Sequence, residues 1–457
     1  MFWDLRSMLD AEHPMYKLAN MIDWNMFEQS FAPLYCKNNG RAAKPIRLMV
    51  GLLILKHLRN ISDESVVAQF GENAYYQYFC GMDSFTTKRP CVPTELVEFR
   101  RRIGESGIEL ILKESIRVNL QIDDKRQEEE DKKNKKDSRG RKPEVTQTAF
   151  IDTTVQEKNV TFPTDSKLLN KVIDICHDIA AKEGLKVRQS YAKEIKQLKQ
   201  DQRFRGRKNS AKKVNKADKK MRTIAGRLLR EIIRQLPENN EYQSLIDVCH
   251  KFLKGEKIDG HKIYSLHEPD VLCISKGKDH KKYEFGNKVS ITRMWNGLIV
   301  GALSFRNEYD GHTIDDAMEQ VNRIYGRKVK ILACDRGYRG QKKTGDTDVM
   351  IPDVPRKTDS NYIKGKKHKL FRKRAGIEPV ISHCKYDHRM ERNFYKGLFG
   401  DSINVMLAAA AFNFKRVMRL FLRLIEMVAK WLFQHVEINC GLVQRPSVVA
   451  YQEKLGF

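Results

Sequence analysis

VTQTAFIDTTV, residues 145–155, changes the character of the chain. A charged run precedes it. Here β-branched and apolar residues take over without a helical period, so the stretch reads as a buried strand with Asp152 near its end. KILACDRGYRG, residues 330–340, reads the same way. Its apolar run, Val329 to Cys334, delivers Asp335 into a basic loop of Arg336, Gly337, Tyr338, Arg339 and Gly340. A strand end fixes a side chain while leaving it open to solvent and ligand. An Asp that only starts a turn is the competing explanation for either residue alone.

A third acid, Glu378, lies in FRKRAGIEPVISHCK, residues 371–385. Arg374 precedes it by four residues and Lys385 follows it by seven, spacings that share one face of a helix. Pro379 cannot donate the backbone bond of an interior helical position. The helix therefore starts near Pro379 with Glu378 at its mouth and Arg374 in the preceding loop, or it kinks there. A solvated salt bridge between Arg374 and Glu378 is the alternative to a functional role.

Together the three acids suit phosphoryl transfer. Two divalent ions about 3.5–4 Å apart can clamp the attacking and departing oxygens of a phosphodiester. Mg²⁺ needs only a few carboxylates beside water and phosphate. The expected catalytic and metal-binding residues are thus Asp152, Asp335 and Glu378, with two Mg²⁺ ions and Mn²⁺ as a substitute. The expected DNA contacts are Arg374, Lys385, Arg336 and Arg339.

The charge balance points to the same partner. Eighty-five Lys and Arg stand against 58 Asp and Glu, a formal charge of +27, which favours polyanions. A hydrophobic share of 41% leaves enough for a real core, unlike a purely basic structural protein. At 457 residues the chain exceeds the size at which one core keeps growing, so two or more domains are expected. The 9 cysteines form no CxxC pair, which argues against a disulfide framework and suits a reducing cytosol. His383, Cys384 and His388 match no standard zinc spacing. No signal peptide is visible at Met1, and the apolar run Ile403 to Phe414 is too short to span a bilayer. With Lys415, Arg416, Arg419 and Arg423 behind it, that run reads as a buried helix with a basic continuation.

Residues 1–122 read as a helical, DNA-binding N-terminal domain. Pro45 can open a helix that Asn60 breaks, and Ser62 can cap a second that ends before Gly71. That outline is either a helix-turn-helix DNA reader or an ordinary helical hairpin. A further helix near Pro93 carries Arg100, Arg101 and Arg102. Residues 123–144 read as a charged linker, disordered or extended. Arg139-Gly140-Arg141 and Arg205-Gly206-Arg207 are either minor-groove hooks or solvated ends. Residues 145–436 read as the α/β catalytic domain, a mixed sheet flanked by helices, and 437–457 as a tail. Val160-Thr161-Phe162 suggests a short strand. A helical, basic insertion is expected at about 166–250, with apolar stripes at Leu168, Leu169, Val172 and Ile173 and at Ile224, Leu228, Leu229 and Ile232. Further strands are expected at Asp270 to Ser275, Lys288 to Met294, Leu298 to Phe305 and Val329 to Cys334. Asn296-Gly297 turns a hairpin, and a crossover helix runs from His312 to Tyr325. Helices from Pro379 to Asn393 and Asp401 to Val436 complete the reading.

FRKRAGIEPVISHCK resembles the Y-x2-R-x3-E-x6-K signature of bacterial insertion-sequence transposases with a DDE, ribonuclease H-like core. Arg374, Glu378 and Lys385 match it; Phe371 stands where the signature has Tyr, keeping the ring and losing the hydroxyl. TAFIDTTVQEKNVTFPTD (148–165), SLHEPDVLCISKGK (265–278), YDGHTIDDAM (309–318), CDRGYRG (334–340) and GDSINVMLAAAAFNF (400–414) are similar to that family in the same order. KPIRLMVGLLILKHLRNISDESVVAQF (44–70) resembles its N-terminal domain. The resemblance implies a ribonuclease H-like fold with Asp152 on the first strand, Asp335 on the fourth and Glu378 on a following helix. It further implies Mg²⁺-dependent cleavage at terminal inverted repeats and strand transfer into target DNA. A homo-oligomer, at least a dimer, on paired ends is implied too, in a nucleoid-associated cytoplasmic protein without a membrane partner. Two other functions are open to the same chain: a catalytically silent DNA-binding protein or repressor, and a ribonuclease H-like nuclease without strand transfer.

Overall fold

The computed structural model describes residues 4–36, 43–133, 147–203, 207, 209–237, 240–275, 282–306, 308–353 and 359–439, except the side chains of 130–133 and 423–439. Two compact units emerge. One comprises Met1–Arg102, Glu114–Ser138 and Ala410–Phe457; the other comprises Ile103–Lys113 and Arg139–Ala409. No helix among the described residues is long and apolar enough to cross a membrane.

The first unit is helical. It uses α1 (Leu5–Met8), α2 (Pro14–Met21), α3 (Trp24–Phe31), α4 (Ile46–Leu58), α5 (Asp63–Phe70), α6 (Ala74–Phe79) and parts of α7 (Pro93–Lys133). The helix after Pro45 is α4, buried along its length apart from Arg47, which donates to the carbonyls of Tyr78 and Phe79. Asn60 turns the chain at φ 56°, and Ser62 Oγ caps α5 by accepting from Ser65 N at 3.1 Å. So the expected pair of helices forms. Its second member, however, carries no Lys or Arg, and its first-turn Asp63 is tied inward to Lys56 and Arg100 at 2.9 Å. Burial pushes the Asp63 carboxyl up, but these two cations hold it below its ordinary value. Arg100 is therefore a buried structural residue, while Arg101 and Arg102 are exposed.

One expectation fails here. The charged run from Asp123 does not begin a linker; it continues α7 to Lys133. The run lacks Gly and Pro, is rich in strong helix formers, and sets Lys125–Glu129 and Glu128–Lys132 at the favourable spacing of four. The break in α7 comes earlier, at Gly104 (φ 64°, ψ −170°). Arg139-Gly140-Arg141, Arg205 and Gly206 lie outside the described residues; Arg207 is exposed.

The second unit holds one mixed sheet of 8 strands. They are β1 (Thr148–Lys158), β2 (Leu272–Ser275), β3 (Tyr283–Met294), β4 (Ile299–Phe305), β5 (Ile331–Ala333), β6 (Lys343–Thr344), β7 (Thr347–Met350) and β8 (Arg392–Asn393). β3 pairs antiparallel with β1 along one edge, and β2 and β4 share the other. Asn296-Gly297 makes the β3–β4 hairpin as expected: Gly297 takes φ 91°, and Gly297 N donates to Met294 O at 2.9 Å. The far edge of β1 pairs in parallel with β5 over Thr148–Phe150 and with β8 over Glu157–Lys158. No strand forms at Val160-Thr161-Phe162, because β1 itself runs on to Lys158 and Pro163 follows.

The insertion has more helices than its two apolar stripes suggested: α8 (Asp165–Lys182), α9 (Ala192–Arg203), α10 (Ala211–Gln235) and α11 (Gln243–Lys254). The stripes themselves pack together, Leu169, Val172 and Ile173 against Ile224, Leu228 and Ile232. Each such buried side chain contributes about 1.5–3 kcal/mol. The remaining helices are α12 (Ile314–Tyr325), α13 (Asn361–Arg374), α14 (Ile377–Asp387) and α15 (Gly397–Asn439). Gln320 of α12 locks that helix to β4 by bonding both N and O of Ala302.

Candidate active site

Asp152 sits in the middle of β1, opposite Ile291 of β3, and not at a strand end. Its access comes from the neighbouring strand. Phe150 pairs with Ala333, the last residue of β5, so neither β5 nor β8 covers β1 between residues 151 and 156. Two residues past that pair, on each chain segment, come Asp152 and Asp335. The sheet register therefore brings them side by side. Asp335 follows the fifth strand in chain order, not the fourth, because the short β2 precedes the β3–β4 hairpin.

Beyond β5 the chain turns sharply. Asp335 caps the turn Arg336–Tyr338, and its Oδ1 accepts from Gly337 N at 2.6 Å. A Cβ on residue 337 would lie 2.9 Å from that oxygen and push the Asp335 carboxylate aside. Tyr338 is fully buried, and burial raises its phenol well above the ordinary value. Arg336 and Arg339 are on the exposed side of the turn. Arg339, Gly340, Gly311, His312, Asp315 and Gln341 line an adjoining open cleft of about 400 Å³.

Glu378 occupies the first turn of α14, which packs on β1 through its buried Ile377, Val380, Ile381 and Cys384. The helix starts at Ile377, so Pro379 falls where no helical donor is needed. Arg374 is neither in a loop nor on the face of Glu378. It is the last residue of α13, separated from α14 by Ala375 and Gly376. From there its Nη1 reaches to 3.6 Å from Asp152 Oδ2. Lys385 lies half-buried about two turns along α14.

The site is crowded with negative charge. Burial raises the Asp152 carboxyl to about 6; Asp335 and Glu378 raise it too, against Arg374 and the Thr153 N–H. Asp335 and Glu378 are thus each within electrostatic reach of Asp152. Asp310, which the sequence reading did not single out, adds a fourth. Its Oδ2 accepts from Thr153 Oγ1 at 2.8 Å, its Oδ1 binds Lys288 at 3.0 Å, and a Cβ on Gly337 would stand 3.6 Å from it. Arg293 was missed as well. From β3 it donates to Lys373 O at 2.6 Å and lies under Gly376, where a Cβ would meet its Nη2 at 2.8 Å. Burial lowers its guanidinium to about 10, and it stacks 4.9 Å from the Phe150 ring. It holds the α13–α14 junction that aims Arg374. Only the Asp-Gly pair at 310–311 and the lone Arg within an apolar strand could have signalled these residues.

Among the described residues no three His, Cys, Asp or Glu side chains already form a closed metal-holding group. The donor set nevertheless fits a hard cation. Asp152, Asp335 and Glu378 offer carboxylate oxygens, and Asp152 is raised first by burial and then by its two acidic neighbours, a setting in which a divalent ion would favour the ionised form. His383 instead pairs with Asp387 at 2.8 Å, and Cys384 is buried with its thiol pushed up by burial.

Residues 3–102 match the family described as Transposase domain (DUF772), and residues 246–414 match the Transposase DDE domain. A relative from Rhizobium meliloti, named Uncharacterized protein ORF8 in nfe locus, is 35% identical over 189 residues, covering 41% of this chain and 83% of the relative. No solved structure matches the chain. With helices before a mixed sheet, and both transposase domains matched in order, the chain belongs to the insertion-sequence transposases of the DDE, ribonuclease H-like superfamily.

Proposed function

We propose that the protein cuts the ends of its own insertion sequence and joins them to target DNA, with Asp152, Asp335 and Glu378 as the catalytic carboxylates. The observation that carries this reading is the geometry at Asp152: β5 stops opposite Phe150, Asp335 comes two residues past that pair, and Arg374 Nη1 stands 3.6 Å from Asp152 Oδ2. Mg²⁺ held by these residues would supply the positive charge that activates water and relieves the leaving oxygen.

The chain's own residues do the positioning. Gly337 N fixes one oxygen of Asp335, leaving the other free to turn outward. Arg374, aimed by Arg293, is placed to meet a non-bridging phosphate oxygen beside Asp152. Arg336, Arg339 and Lys385 flank the cluster and suit the adjoining phosphates. In the first step a water oxygen bonds to phosphorus, the bond to the 3′ oxygen breaks, and that oxygen takes up a proton as the 3′-hydroxyl. In the second step this hydroxyl attacks a target phosphodiester, which releases its own 3′-hydroxyl. Two ends cut and joined together call for at least two copies of the chain. The exposed cations of the insertion and of the N-terminal unit would grip the terminal repeats.

The test is product analysis with Mg²⁺, DNA carrying the element's ends and a supercoiled target plasmid. Joined end–target molecules are expected. Nicking without joining would make the protein a nuclease, and salt-sensitive binding without either would make it a silent DNA-binding protein.

A further inference from the structure

The turn after α14 combines two features that the carboxylate cluster leaves unexplained. Beneath, it is pinned by buried ions. Lys158, 3% exposed at the end of β1, pairs with Asp401 at 2.9 Å and Glu268 at 3.4 Å, and donates to the carbonyls of Tyr395 and Gly397. Buried Asn393 donates to Asp401 Oδ1 at 2.7 Å and to Gly400 O at 3.1 Å, and Glu268 accepts from Gly397 N at 3.0 Å. Buried ion networks contribute little net stability; their best-attested use is to fix one conformation.

Above, the same turn displays apolar and cationic side chains. Phe394 is 57% exposed and Leu398 42%. The Arg389 guanidinium stands 5.5 Å from the Phe394 ring centroid, on a backbone held at φ 67° and tied by Asn404 Nδ2 to Arg389 O at 3.1 Å. That left-handed residue, with Met390 N donating to Cys384 O, is the cap that ends α14 and fixes where the turn leaves the helix. Lys396 is exposed, and Tyr386, in the last turn of α14, is 60% exposed. A protein ring can stack on a base whose face is free, while cations track the phosphates; a paired and stacked base offers no such face.

The turn is also well placed. Met390 N and Glu391 N donate to the carbonyls of Cys384 and Lys385, closing it onto the end of the helix that carries Glu378. β8 joins β1 at Glu157, which lies about 17 Å along the strand from Asp152, or roughly five stacked base steps.

We infer that the turn from Arg389 to Leu398 is a single-strand DNA platform: Phe394 stacks on an unpaired base a few nucleotides from the scissile phosphate, and Arg389 and Lys396 contact the phosphates beside it. The inference rests on the proposed DNA cleavage at Asp152, Asp335 and Glu378.

The experiment is a metal-free titration of the full-length protein with a short single-stranded oligonucleotide carrying 2-aminopurine, and with a duplex of the same sequence. Phe394→Ala should lose about tenfold in single-strand affinity together with the stacking quench of the probe, and keep duplex affinity within about twofold. Phe394→Trp should retain both. Single-strand affinity unchanged in the alanine variant, or an equal loss for both DNAs, overturns the platform. Because the titration needs neither metal nor cleavage, a protein that never cuts but shows the selective loss defeats the cleavage reading and leaves the platform standing. A protein that cuts but shows no such loss does the opposite.

Discussion

Arg374 Nη1 lies 3.6 Å from Asp152 Oδ2, the tip of one helix against the middle of a strand. Both side chains are 17% exposed, so the pair is only partly screened. Arg374 offsets the charge that Asp335 and Glu378 add at Asp152.

Arg374→Gln keeps hydrogen-bonding capacity and removes the charge. Single-turnover cleavage should fall about 100-fold, the usual effect of deleting one preorganised electrostatic group. A change under about threefold would remove Arg374 from the site.

Asp152 makes stability depend on pH with a definite sign. Its folded carboxyl ionises at about 6, above the ordinary 3.8. The folded protein keeps a proton that the unfolded chain gives up. Metal-free stability therefore declines as pH rises from about 4 through about 6, by about 3 kcal/mol at most. Asp152→Asn cannot ionise. Its melting temperature relative to the parent should rise between pH 4 and pH 7.5; a constant difference would contradict the raised value.

Much of this was legible beforehand, and the failures have physical causes. The strands that lead to Asp152 and Asp335, the β3–β4 hairpin and the α4–α5 turn follow from local patterns: strand-like runs, Asn296-Gly297 and the Ser62 cap. What local patterns could not carry was register. Asp152 read as a strand end, but its exposure comes from β5 stopping opposite Phe150, a fact about another segment. Arg374 and Glu378 read as one helical face, yet Gly376 divides them and Arg293, far away in sequence, sets the junction. Asp310 reaches the site through Thr153 and Lys288, contacts that no spacing announces. The charged run to Lys133 was read by composition, which missed that its residues are strong helix formers.

Lys158→Met should be severe although it lies far from the chemistry. It leaves Asp401 and Glu268 buried without their cation, a loss of about 3–5 kcal/mol. Chemical denaturation measures it. The double variant Lys158→Met, Asp401→Leu should recover part of the loss.

Gly286→Ala tests the β1–β3 contact. An added Cβ would meet Gln156 O at 2.0 Å and Glu157 Cα at 2.8 Å, backbone atoms that cannot step aside. A loss of about 3 kcal/mol or more is expected, at or above the upper end for overpacking. Near-parental denaturation midpoints would show that the strands can spread.

Asp152, Asp335 and Glu378 are expected to act as one catalytic unit. Single-turnover cleavage of duplex DNA carrying the element's terminal repeats, with Mg²⁺, tests it through Asp152→Asn, Asp335→Asn and Glu378→Gln. Each variant should bind that DNA as the parent does and cut it at least about 1,000-fold more slowly, with no further loss when two are combined. Parental cutting by any one of the three would contradict the account.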